Sequence, residues 1–251
     1  MSEKVAIEIA STLTGNPAPV RSTPGTYIGD PVTGTRRYTP PEGRDVIERH
    51  LTEWERFIYS DHGLDPLVLM AATHYQFEAI HPFYDGNGRT GRILNILLLL
   101  QEDVLDLPVL YLSGYIVQNK SSYYRLLRAV TADNAWEDWI LFMVDAVASS
   151  ARATADLIDE LTRAQAETRD HIRELGIQPA AELSELLYMQ PYVRIADLPA
   201  KGLATRQTAS IWLSSLAQAG ILEEQKAGRT KIFLNTAALE ILTGADTTTR
   251  P

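Results

Sequence analysis

Between His81 and Arg92 the chain reads "HPFYDGNGRTGR", which places one histidine, one aspartate, one asparagine, three glycines and two arginines within twelve residues. A run so poor in core-forming side chains, set between two apolar stretches, points to chemistry. A glycine-rich turn that opens a helix leaves first-turn N–H groups pointing outward, adds the positive end of the helix dipole, and lets an anion approach closely. Arg89 and Arg92, three apart at the start of that helix, share a face and can add bidentate contacts to phosphate oxygens. Asp85 beside a phosphate is repelled unless a cation lies between them, so it implies a metal. Mg²⁺ is the natural ion, because it takes one or two carboxylates together with substrate phosphates and water. His81, four residues earlier, is a candidate general base. Taken singly, these residues have plainer readings: a histidine at a helix end caps or bonds within a core, and Asp-Gly-Asn-Gly is a turn. The set of His81, Asp85, Asn87, Gly88, Arg89 and Arg92 ahead of a buried helix favours the anion site.

Helices must position these residues. The segment "PEGRDVIERHLTEWERFIYS", Pro41 to Ser60, spaces Val46, Ile47, Leu51, Trp54, Phe57 and Ile58 at steps of three and four, one apolar helix face. A second helix starts at Asp65 with Pro66 in its first turn and runs into His81-Pro82, where proline discourages further helix. "RTGRILNILLLLQE" is apolar on nearly every side and is expected as a buried central helix. Residues 5–14 read as the end of a further helix. Between Gly15 and Gly43, two short β-prone runs around Tyr27 and Arg37 flank "GDPVTG", the chemistry of a hairpin turn. Several more helices follow to about residue 175, the last long and amphipathic. A break falls near "GIQPA"; beyond it "SELLYM", "RIADLP" and "TRQTASIWLSSLAQAG" read as three short helices, then "ILEEQKAGRTKIFLN" as two strands. That order predicts a winged helix-turn-helix.

Composition sets limits. The 251 residues, 45% hydrophobic, suffice for one large domain or two ordinary ones. Cysteine is absent, which removes disulfides, thiolate metal sites and a thiol nucleophile and suits a reducing cytoplasm. The longest apolar run is far short of the roughly 20 residues of a membrane-spanning helix, so no membrane insertion is expected, and the first residues lack the pattern of a secretory signal. A net charge of −9 argues against broad phosphate-backbone binding by the chain as a whole.

The twelve residues resemble the signature of the Fic-domain family (Fic/Doc superfamily), His-Pro-Phe-x-(Asp or Glu)-Gly-Asn-Gly-Arg-x-x-Arg, at every fixed position. "YTPPEG", "HYQFEAIHPF", "PVLYLSGYIVQNKSSYYRLL" and "WEDWILFM" extend the likeness over roughly residues 5–150. The resemblance implies a mainly α protein: a Fic-type helical bundle over residues 1–150 with a β-hairpin flap at about 26–39, linking helices over 151–182, a winged helix over 183–242 and a disordered tail over 243–251. It further implies protein adenylyl transfer, in which AMP from ATP is attached to a Ser, Thr or Tyr hydroxyl of a target protein, with self-modification. On that basis His81 takes the hydroxyl proton and Asp85 holds Mg²⁺ on the α- and β-phosphates. Asn87 and the backbone at Gly86 and Gly88 cradle phosphate oxygens with Arg89, Arg92 binds the γ-phosphate end, and Thr90 and Gly91 belong to the same nucleotide-binding stretch. The flap at Thr35, Arg36, Arg37 and Tyr38 aligns the target by strand addition, and Tyr123 lies near the adenine.

Many members of that family are held inactive by a helix with Ser or Thr, three residues, Glu, then Gly or Asn. Glu42 is the sole Glu followed by Gly or Asn, and the residue four before it is Tyr38, so the pattern is absent. The chain begins inside what the family would make a longer helical region; a shortened chain, natural loss and an inhibitor supplied by a separate protein are the alternatives. The second domain carries +2 between Leu183 and Thr236. There Arg206 on the recognition helix and Lys226, Arg229 and Lys231 on the wing could contact DNA phosphates, accompanied by Gln207 and Thr208; protein docking or homodimerisation is the other reading. The alternative for the whole chain is a DNA-binding regulator that uses the nucleotide site as a sensor. A sensor needs neither His81 nor a flap, which favours the enzyme.

Overall fold

The computed structural model describes residues 1–29, 36–228 and 230–244, apart from the side chains of Arg37 and Ala227. The chain divides into two compact units, Met1–Ala151 and Arg152–Pro251.

The first unit opens with α1 (Glu3–Thr14), capped by the Ser2 side chain, which accepts from the Val5 N–H, and closed by Gly15 in the left-handed region. Strand β1 (Ile28–Gly29) pairs antiparallel with β2 (Arg36–Tyr38), with Ile28 opposite Tyr38 and an irregularity before Gly29. These strands flank residues 30–35, so the expected flap residue Thr35 lies outside the described residues, as does the Arg37 side chain. Next come α2 (Arg44–Ile58), α3 (Pro66–Ile80) and α4 (Asn87–Gln101). Asp65 caps α3, its carboxylate accepting from Leu67 N–H at 2.8 Å, and Pro66 fills the first position, where a missing N–H costs nothing. α5 (Leu112–Gln118), α6 (Lys120–Asp133) and the start of α7 (Trp136–Glu174) complete the layer around them.

The core of this unit is a single cluster. Ile47, Leu51 and Trp54 of α2, Leu69, Met70 and Phe77 of α3, and Leu94, Leu98 and Leu99 of α4 are buried together with Trp139 and Met143 of α7. Each such side chain contributes roughly 1.5–3 kcal/mol of burial. The two indoles are anchored as well as buried: Trp54 Nε1 donates to the Thr73 carbonyl at 3.0 Å and Trp139 Nε1 to the Ala71 carbonyl at 2.8 Å. Both hold α3, the helix that ends at His81.

The second unit contains α8 (Ala180–Met189), β3 (Tyr192–Arg194), α9 (Asp197–Ala200), α10 (Arg206–Gln218), β4 (Glu223–Ala227), β5 (Thr230–Leu234) and α11 (Thr236–Gly244). Its sheet is antiparallel in the order β3-β5-β4. "RIADLP" divides between β3 and α9 instead of forming one helix, because the Asp197 carboxylate accepts the Arg194 N–H at 2.7 Å and turns the chain there. The core joins Leu183, Leu187, Leu213, Leu216 and Phe233 and includes Ile172 and Ile177, residues assigned from sequence to linking helices. Thr243 and Gly244, expected in a disordered tail, close α11, where Thr243 Oγ1 donates to the Leu239 carbonyl at 2.6 Å. The rest of that tail, from residue 245, lies outside the described residues.

Candidate functional site

His81 ends α3. Pro82 has no N–H to continue the helix, and His81 turns into the left-handed region at φ 49°, ψ 60°, its own N–H bonding to Phe77 O at 3.0 Å. Its ring is largely buried and Nδ1 has no hydrogen-bond partner. Burial first, and the Arg21 guanidinium second, push the imidazole down to about 4 against an opposing contribution from the Glu78 backbone. The ring is therefore neutral near pH 7, the form a base requires.

The turn from Phe83 to Asn87 is closed by one side chain. Asn87 Oδ1 accepts the Phe83 N–H at 2.9 Å and its Nδ2 donates to the Phe83 carbonyl at 2.7 Å. Expected as a phosphate ligand, the Asn87 amide is thus engaged in shaping the loop, and what remains for an anion is its backbone N–H. Gly86, within the turn, lies at φ 82° as the N-cap of α4; a side chain is strained there. The N–H of Thr90 reaches Gly86 O at 2.9 Å, so Asn87, Gly88 and Arg89 are the first-turn residues with no carbonyl one turn back. Their N–H groups form the floor of the cradle.

Cations border that floor. A Cβ on Gly88 would lie 3.2 Å from Arg92 Nη1, which shows the guanidinium lying over the glycine, and Arg92 Nε donates to Ser113 Oγ at 2.8 Å. Arg89 Nη2 is 3.4 Å from Asp85 Oδ2, with 48% and 80% of the two side chains exposed, a pair open to exchange with solvent or substrate. Asp85 Oδ1 accepts the Gly86 N–H at 2.7 Å. Among the described residues no group of three or more His, Cys, Asp or Glu could hold a metal. A lone exposed carboxylate at the lip of an anion cradle still fits a hard cation that takes most of its ligands from phosphate and water.

Beneath the cradle lies a buried polar layer for which residue type gave no signal. Glu78, 7% exposed, is pushed up to about 7 by burial, with Arg92 opposing, and its Oε1 has no hydrogen-bond partner. His74 is held down to about 3 by burial and then by Arg92. Both close on Gly91, where an added Cβ would meet Glu78 Oε1 at 2.7 Å and His74 Cε1 at 3.1 Å. Thr90, fully buried, also has an unpartnered Oγ1.

Tyr123 requires correction. Expected beside the adenine, it is 3% exposed, shares a 2.9 Å hydrogen bond between its hydroxyl and His74 Nε2, and packs on Trp139 and Phe142. Neighbouring residues on a helix point about 100° apart, so the inward Tyr123 leaves Tyr124, 41% exposed, to face outward. Tyr124 lines a cavity of about 520 Å³ with Ile28 and Tyr38 of the flap strands, Tyr75, Glu78 and Ala79 of α3, and Arg125 and Arg128 of α6. That volume is in the range of small-molecule sites. Tyr38 Oη donates to Ala79 O at 2.9 Å, fastening β2 to α3, and the Arg36 guanidinium lies 4.8 Å from the centre of the Tyr27 ring.

Of the cations expected on DNA, Arg206 and Lys226 are exposed, Lys231 is held by Glu224 at 2.7 Å, and Arg229 lies outside the described residues. No helix among the described residues is long and apolar enough to cross a membrane.

The first unit thus joins a helix-ending histidine, a glycine-capped helix start and a pair of strands beside a cavity. Residues 1–99 match the model of the Fic/DOC family, and residues 165–238 match a domain described as the C-terminal domain of SoFic-like protein adenylyltransferases. The chain carries a Fic/DOC family domain. It is similar to the protein adenylyltransferase Fic of Drosophila sechellia, 28% identical over 156 residues that cover 59% of this chain and 30% of that one. The counterpart in Drosophila willistoni is 29% identical over 160 residues, 60% of this chain and 30% of that one. The chain thus spans about 30% of the length of these curated relatives. A solved Fic family protein from Desulfovibrio desulfuricans shares the fold, with a TM-score of 0.51 at 20% identity over 91% of this chain and 67% of that one.

Proposed function

We propose that the protein is an adenylyltransferase that moves AMP from ATP to a Ser, Thr or Tyr hydroxyl of a protein, itself included. The observation that carries this reading is the neutral, largely buried His81 ending one helix shortly before the glycine-capped start of the next. Base and anion cradle are held at opposite ends of one short loop.

In the proposed reaction the acceptor hydroxyl attacks the α-phosphorus of ATP while His81 removes its proton. The bond from the α-phosphorus to the bridging oxygen breaks, and pyrophosphate leaves with the electron pair. The N–H groups of Asn87, Gly88 and Arg89 hold phosphate oxygens, and Arg92, oriented by Ser113, takes the distal phosphate. Asp85 would hold Mg²⁺, which when bound supplies neutralisation of phosphate charge. The cavity beside the flap receives the nucleoside, with Tyr124 in the role first assigned to Tyr123, and strands β1 and β2 offer backbone groups to an extended target segment. We further read the second unit as a winged helix that docks protein; the Lys231–Glu224 pair removes one cation a DNA site would need.

The test is self-labelling of the full chain with Mg²⁺ and ATP carrying label at the α- or the γ-phosphate. Label entering from the α-position alone supports AMP transfer. Label from the γ-position would make the protein a kinase and overturn the reading.

A further inference from the structure

Arg21 lies outside the motif, yet it is fully buried, and among the described residues its side chain bonds carbonyls and no carboxylate. Its Nε donates to the His81 carbonyl at 2.7 Å, and Nη2 donates to the carbonyls of Ile80, at 3.3 Å, and Pro41. Its backbone N–H adds a bond to Pro82 O at 2.9 Å, while Nη1 is buried with no hydrogen-bond partner. An ionised guanidinium withdrawn from water and hydrogen-bonded to carbonyls, with Glu42 acting on it only at longer range, is costly to fold, so the carbonyls it serves must need it.

Two of those carbonyls, Ile80 and His81, belong to the end of α3, where Pro82 leaves them without helical donors. His81 also sits in a left-handed conformation that side-chain-bearing residues avoid. We propose that Arg21 is the positioning residue of the base: its fork ties the carbonyls of Ile80 and His81 to that of Pro41, just past the flap strand β2, and so fixes the backbone from which the imidazole projects. The assignment rests on the reading of His81 as base.

The same cation disfavours protonation of the ring, adding to burial. The groups that face the clamp are few. Glu42, whose Oε1 accepts the Gly25 N–H at 2.8 Å, and the hydroxyls of Tyr84 and Tyr38 act on Arg21. From α3, Glu78 meets the imidazole through its backbone. Tyr84 reinforces the clamp, since its hydroxyl accepts the N–H groups of Ser22 and Thr23 at 3.0 and 3.1 Å and straps the same two segments together.

The experiment compares Arg21→Lys and Arg21→Gln in the full chain, with thermal unfolding to verify the fold. It reads steady-state label transfer and titration of the His81 imidazole by NMR, assigned with His81→Ala. Lysine keeps the charge but cannot fork between carbonyls, so kcat is expected to fall about tenfold or more with KM for ATP little changed and His81 still titrating low. Glutamine loses the charge as well, and the His81 pKa is expected to rise by roughly half a unit or more. Folded variants with wild-type kcat and wild-type His81 titration would overturn the proposal. If Arg21→Gln does not fold, Arg21→Lys decides: a wild-type kcat overturns the clamp and a lowered kcat at constant KM supports it. If the wild type transfers no label, movement of the His81 titration in Arg21→Gln but not in Arg21→Lys supports the clamp while the transferase reading fails.

Discussion

The two units bury polar side chains for different ends. In the second, Thr168 shares a 3.1 Å hydrogen bond with Tyr188, Ser184 donates to Gln165 O at 3.0 Å, and Asn235 donates to Leu187 O at 3.1 Å while accepting from Ala238 N at 3.0 Å. The first three of these bonds join segments distant in sequence, and the last caps α11. In the first unit, Arg21 Nη1, His74 Nδ1, Glu78 Oε1, His81 Nδ1, Thr90 Oγ1 and Asn95 Nδ2 are buried without partners in the segment before the flap or in and next to the two helices that meet at the motif, with His62 Nε2 apart from them; in the second unit, among the described residues, Arg169 Nε alone is so placed. Folded proteins keep few such atoms, because each costs about 1–3 kcal/mol. Their concentration beneath one loop separates a core built around a site from a core built for packing.

The largest test of that contrast is His81→Ala. Transfer is expected to fall by roughly 10²–10⁴-fold with little change in melting temperature, as measured by label incorporation and calorimetry. In the other unit Phe233→Ala should do the reverse: about 3–5 kcal/mol of stability is lost from the second core, seen as a lowered unfolding transition, with transfer to a supplied target unchanged. An equal loss of both properties in either variant would break the comparison.

Glu78→Gln sharpens it through pH. The Glu78 carboxyl titrates at about 7 when folded against an ordinary 4.5, so its contribution to stability is complete below about 4.5 and is lost as pH rises through about 7. His74 and His81, held at about 3 and about 4 against an ordinary 6.5, run the other way: their contribution is present above about 6.5 and lost as pH falls through those values. The glutamine variant, an isostere of the neutral acid, should be more stable than the wild type by roughly 3 kcal/mol near pH 8 and equal to it near pH 4. Denaturant titration at the two pH values reads the difference. The smallest effect belongs to the exposed pair in the second unit: Lys231→Ala should change stability by less than about 1 kcal/mol.

The sequence was most legible where local chemistry speaks. Asp65-Pro66 marked the start of α3, His81-Pro82 its end, and the glycines of the motif the start of α4. Arg21 was not visible, because a lone arginine in a turn-rich stretch looks the same whether solvated or buried, and its carbonyl partners are some 20 to 60 residues away. Glu78 was hidden for the same reason, since only the packing of α3 against α4 decides that it faces inward. The two tyrosines of α6 differ by a single helical step, and residue type could not say which one the core would take. The break in residue pattern at "GIQPA" falls just after α7 ends at Glu174, whereas the chain divides inside that helix, after Ala151, close to the limit of residue 150 that the family resemblance implied.

One measurement bears most directly on the central claim. The full chain and His81→Ala are incubated with ATP and Mg²⁺, and their intact masses are recorded. The account predicts that the wild-type chain gains the mass of one or more AMP groups and that the variant gains none. A gain equal to phosphate alone, or an equal AMP gain in both proteins, would contradict it.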